Sequence, residues 1–179
     1  MTFRTIFSAA DLIGKERYVE LACFKGLGER SLQVREADVV LFLASAAQSH
    51  AWRARQLEEL LPVSLGLPGV DEATTSPGPI TDDAIALACA DGSGEEILQA
   101  IGRVLYPQML SAYRAHLVTC SPAAELPTVL VLQRVIADLE CRLDDLHEVL
   151  EIDEGLLPSR ASALSSLLER VGGPFGVTE

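Results

Sequence analysis

Glu20 and His50 are the residues of this chain whose placement most invites chemistry. A helix turns about 100° per residue, so its buried stripe can be computed from spacing alone. On the second long helix that stripe is Val39, Leu43, Ala46, Ala47, Ala54, Leu57 and Leu61, with His50 at its centre and Glu36 near its start. On the first, Cys23, Phe24 and Leu27 form the stripe, with Leu21 at its edge and Glu20 inside it. A carboxylate facing a core is costly unless it is paired or bound to a metal. An imidazole there serves equally as a metal ligand or as a hydrogen-bonded core residue. Glu20 and His50 thus read either as ligands or as a buried pair.

Other polar groups border the same stripes. The fourth long helix carries Leu132, Val135, Ile136, Leu139, Leu143, Leu146 and Leu150 along one side. Glu140 and His147 lie at that border on one face, as further ligands or as a solvated edge. Asp144 falls farther out, and Asp138 points away. Gln108 falls on the third stripe, with Ile97, Ile101, Val104, Leu105, Ala112 and Ala115, and reads as a kink or packing residue. The chain has no G-x-S-x-G, P-loop or G-x-G-x-x-G. Cys23, Cys89, Cys120 and Cys141 form no C-x-x-C pair, and nothing near Cys23 in sequence would activate a thiolate. No catalytic residue is expected, and no cofactor other than, in the alternative, iron or manganese.

Helices must position these groups. Ser8 before Ala9-Ala10-Asp11 reads as a cap opening a helix that runs to about 28. A second covers about 34–61 and stops at Pro62. The Pro-, Gly-, Ser- and Thr-rich stretch 62–79 reads as a loop. A short helix is expected over 82–90 and a turn over 91–94. The third long helix spans about 95–118, with Pro107 predicted to kink it. Ser121-Pro122 opens a fourth that reaches about 150. After a turn over 153–158, a last helix covers about 159–171, ended by Gly172-Gly173-Pro174. Two long helices, a connection and two more give an antiparallel four-helix bundle with a mid-chain crossover loop. Residues 1–179 form one domain, the bundle over about 8–150 and the extra C-terminal helix beyond it.

Composition agrees. The 179 residues are 49% hydrophobic but only 5% aromatic, a mixture rich in helix-forming Ala and Leu. The net charge of −12 disfavours direct nucleic-acid binding, since the densest basic group is Arg53 with Arg55. No apolar run is long enough to span a membrane. The cysteine usage and the absence of a signal-peptide pattern over residues 1–13 predict a cytoplasmic protein.

The Glu on the first helix and the His inside the second resemble the ferritin-like superfamily. Val19-Glu20-Leu21 and His50-Ala51-Trp52 look like segments of bacterial ferritin-like proteins related to tRNA hydroxylases. Tyr106-Pro107 through Tyr113-Arg114-Ala115-His116-Leu117 is similar to their third helix. The resemblance covers roughly residues 10–150. It implies a two-metal site with a Glu from each of two helices and a Glu-x-x-His from each of the other two. Glu20 then matches the first Glu, and His50 matches a ligating His. Ala47 stands where the accompanying Glu belongs, and Gln108 where another is wanted. Before His147 the spacing gives Asp144, with Glu140 the better-directed carboxylate. The implied metal set is therefore Glu20, His50, Glu140 and His147, incomplete for two irons.

These readings favour a non-catalytic bundle that acts by binding another protein or itself. Trp52, on the outer face of the second helix, is either an interface anchor or a cover for the 62–79 loop. The C-terminal helix, with Leu164, Leu167 and Leu168 on one side, caps the bundle or docks a partner. The alternatives are a metal-dependent oxygenase with a reduced ligand set, and a small-molecule binder with a cavity lined by Ala46, Ala47, Ala54 and Ala112.

Overall fold

A computed structural model describes residues 5–62, 68–149 and 157–176. Among these the chain is helical throughout, in the order α1 (Ile6–Ser31), α2 (Ala37–Glu58), α3 (Val70–Ala73), α4 (Pro79–Ala88), α5 (Gly94–Ala100), a π-helical turn (Ile101–Leu105), α6 (Tyr106–Thr119), α7 (Leu126–Val149) and α8 (Ser159–Arg170). None of these helices is long and apolar enough to cross a membrane. Leu150, part of the 62–79 stretch and most of the expected 153–158 turn lie outside the described residues.

Local chemistry sets the boundaries. Thr5, not Ser8, caps α1: its hydroxyl accepts the Ser8 backbone N–H at 3.2 Å. At α5, Ser93 accepts the Glu96 N–H, and the Glu96 carboxylate accepts the Ser93 N–H, each at 3.2 Å. This reciprocal box satisfies two donors at the helix start. α7 begins at Leu126, later than Ser121-Pro122 predicts; Glu125 instead accepts the Ser121 N–H and holds a turn ahead of it. α8 ends on Gly172, whose φ of 73° lies in the left-handed region.

Pro107 does not break the third long helix. The helix widens just before it, and Tyr106 N–H bonds to Ile101 O, five residues back. A π-turn relieves the crowding a proline ring imposes on the preceding turn. It also advances the helical phase, and Tyr106 is fully buried.

α1 and α2 form the most extensive pair in the fold. They run antiparallel, with Arg17 on Glu58 at one level and Gly28 beside Ala47 at another. α7 packs on both α6 and α2. Leu27, Leu43, Ile101, Leu105, Leu132 and Leu139 lie in the shared core, each adding about 1.5–3 kcal/mol through burial. α8 turns its apolar side inward against α4, α5 and the π-turn, with Leu164 and Leu168 fully buried. Arg160 ties it down by donating to the carbonyls of Ala90 and Asp91.

Candidate functional site: a buried ionic centre

α1 brings Glu20, and α2 brings His50 and Arg53, to one point in the core where all three are fully buried. His50 Nδ1 lies 2.5 Å from Glu20 Oε2. Arg53 Nε lies 3.0 Å from both Glu20 oxygens. α6 adds two tyrosines. Tyr113 donates to Glu20 Oε1 at 2.6 Å, and Tyr106 Oη lies 3.2 Å from His50 Nε2. From α7, Asp138 accepts from Arg53 Nη1 at 2.5 Å. Phe175, from the turn after α8, packs against the Tyr113 ring at 4.8 Å between centroids.

The partners fix the protonation states. Burial pushes the Glu20 carboxyl up, but Arg53, His50 and the hydrogen bonds from His50 and Tyr113 outweigh it and hold it below the usual carboxylate range. Glu20 is therefore an anion that only accepts. Burial and then the neighbouring guanidinium push His50 below its ordinary value, against the pull of Glu20, so the ring is neutral. Against the Glu20 anion at 2.5 Å, Nδ1 carries the proton and donates, although Arg53 Nη2 also lies 2.9 Å from that nitrogen; Nε2 then accepts from the Tyr106 hydroxyl. Burial opposes the Arg53 charge, but Glu20, the tyrosines and Asp138 more than restore it. Burial raises both tyrosines, so their hydroxyls stay protonated.

This arrangement does not fit the metal centre the resemblance implies. Each Glu20 oxygen is already engaged, and both His50 nitrogens are in use. The position beside Glu20 where a ligated ion would carry positive charge is filled by the Arg53 guanidinium. Of the four expected ligands, the structure brings only Glu20 and His50 together. Glu140 stands on the exposed side of α7, paired with Arg114 at 2.6 Å. His147 is also exposed, near the end of α7. Gln108 is half-buried, and Asp144 is exposed. Among the described residues no group of three His, Cys, Asp or Glu is placed to hold a metal ion.

Two features of the site were missed by the sequence reading. Arg53 enters the sequence reading only as the densest basic group with Arg55, although it follows His50 by three residues and so shares its side of α2. Asp138 was expected to point away; the long Arg53 side chain reaches it from within. A second buried pair, Glu16 Oε1 with His116 Nδ1 at 2.6 Å, also joins α1 to α6. Trp52 stands on the outer face of α2, 40% exposed.

The two thiols nearest the centre, Cys23 and Cys89, are held protonated. Burial pushes Cys89 up to about 12 and Cys23 well above its ordinary value. The small residues Ala46, Ala47 and Ala54 are buried in the packed core. A recess of about 570 Å³ lies elsewhere, between the start of α1, the end of α2 and the α6–α7 connection. Its lining includes Ile6, Ala10, Ile13, Leu61 and Pro127, with Glu59 and Glu125.

Comparison of the chain with protein-family models, with curated proteins and with solved structures finds no match.

Proposed function

We propose that the chain is a non-catalytic, ferritin-like protein, an antiparallel four-helix bundle with a mid-chain crossover and an extra C-terminal helix. It acts through contact with another protein or with a second copy of itself. The observation that carries this reading is the Arg53 guanidinium held at 3.0 Å by both oxygens of Glu20. An oxygenase needs carboxylates free to balance and bridge its metal ions; here the central carboxylate is neutralised by a side chain of the same molecule. What remains for function is the surface, where Trp52, Leu41 and Phe24 are large apolar groups left open to solvent.

Elemental analysis of protein expressed in iron- and manganese-supplemented medium tests the non-catalytic half, with His50→Ala as control. The expected result is no stoichiometric metal in either protein. Near-stoichiometric iron or manganese that vanishes in His50→Ala would overturn the reading in favour of the oxygenase.

The end recess favours one second reading, small-molecule binding, because its volume lies in the range of ligand pockets. Its apolar wall and two carboxylates suit an alkyl amine. A rise in thermal midpoint with such an amine, absent in an Ala10→Trp variant, would support that reading.

A further inference from the structure

The outer face of α2 carries an unbroken alternation of three- and four-residue steps: Asp38, Leu41, Ser45, Gln48, Trp52 and Arg55, every one exposed. Such spacing keeps a seam on one side of a helix, as in coiled coils. The opposite side of α2 already packs the core through Leu43, Ala46, Ala54 and Leu57. Leu41 is 69% exposed and Trp52 40%. Among the described residues neither Asp38 nor Arg55 has an ion-pair partner in its own chain.

The seam is complementary to itself. Laid against a reversed copy about an axis midway between positions 46 and 47, Leu41 meets Trp52, Asp38 meets Arg55, and Ser45 meets Gln48. We propose that two copies of this chain associate through α2, antiparallel, with each Trp52 seated on the partner's Leu41 and each Arg55 paired with the partner's Asp38. The inference rests on the self-association half of the proposed function. A two-fold contact of this kind closes at the dimer.

Charge selects this face. A chain of net charge −12 repels its own copy, so a contact must bring opposite charges together. The seam positions themselves hold one acid and one base, arranged to meet their opposites, and Arg142 of α7 donates to Ser45 at their side. Asp38 also lines an acidic recess with Glu36, Glu95 and Glu148, and among the described residues no Lys or Arg lines it. The negative field there favours an incoming guanidinium.

Sedimentation equilibrium of the full chain tests the proposal. Trp52 is the chain's one tryptophan, so its emission reports the same face directly. The expected result is a dimer whose emission shifts to the red on dilution. Trp52→Ala should weaken it on the order of 100-fold. Arg55→Asp and Asp38→Arg should each weaken it roughly tenfold or more by opposing like charges. Together, the two reversals should restore near-wild-type association. Circular dichroism checks that each variant keeps its helices. A wild-type monomer at all concentrations, a dimer indifferent to both reversals, or a double variant that stays dissociated would each overturn the proposal. A wild-type monomer leaves the closed ionic centre intact. Metal uptake by wild-type protein would overturn the proposed function and leave the dimer standing.

Discussion

Arg53 decides what the polar centre of this molecule can do. A lone buried carboxylate would be protonated or metal-bound; beside the guanidinium, Glu20 stays ionised in the core. The neutral His50 then sets an acid sensitivity. Because its folded pKa lies below the ordinary 6.5, the unfolded chain binds the proton first. Stability is full above about 6.5 and falls as pH drops toward the folded value. Glu20, held below its ordinary 4.5, adds a second loss at lower pH as it protonates. Thermal unfolding between pH 7 and 5 should show a falling midpoint, with a shallower slope in His50→Gln. Equal slopes would show that His50 does not bury neutral. The sequence made Glu20 and His50 legible because both interrupt apolar stripes. Arg53 was hidden by its own chemistry, since a long cation beside Arg55 reads as surface until the partner carboxylates on α1 and α7 are placed.

At the scale of elements, the long helices were legible from spacing, because each carries an apolar stripe of three turns or more. The π-turn was not. Pro107 signalled a disturbance, but whether a helix kinks or widens is decided by what the next side chain can reach, and here the widening accompanies a Tyr106 buried against His50. The close approach of α3 to α1 was invisible as well, since α3 is only four residues long. It rests on Gly14. A Cβ there would lie 1.9 Å from the backbone oxygen of Ala73, which has no side-chain freedom to yield. Gly28, on the same helix, would place a Cβ 3.9 Å from the Ala47 methyl, an ordinary contact. Gly14→Ala should therefore destabilise by about 2 kcal/mol or more through overpacking. Gly28→Ala should stabilise by roughly 0.5–1 kcal/mol through helix propensity. Chemical denaturation of the two variants checks the contrast, and equal effects would contradict the packing of α3 on α1.

In the whole molecule, the ionic centre ties together the helices that build the core. Glu20 belongs to α1, Arg53 and His50 to α2, Tyr113 to α6 and Asp138 to α7, and Phe175 from beyond α8 covers one side. The all-helical character was foreseeable from the stripe spacing and the Ala- and Leu-rich composition. The junction that holds the helices together was not, because it depends on partners 30 to 93 residues apart in sequence. The central claim is that Glu20 and Arg53 are each other's main partners in this core. A double-mutant cycle with Glu20→Gln and Arg53→Met, read by urea unfolding, tests this most directly. Each single change should cost about 3–5 kcal/mol, because it leaves Arg53 with only the part-buried Asp138, or Glu20 with only His50 and Tyr113, to offset its burial. The double variant should cost less than the two together, by about 2 kcal/mol or more. Costs that add to within about 0.5 kcal/mol would mean the two charges are independent, and would contradict the account of a self-contained ionic centre.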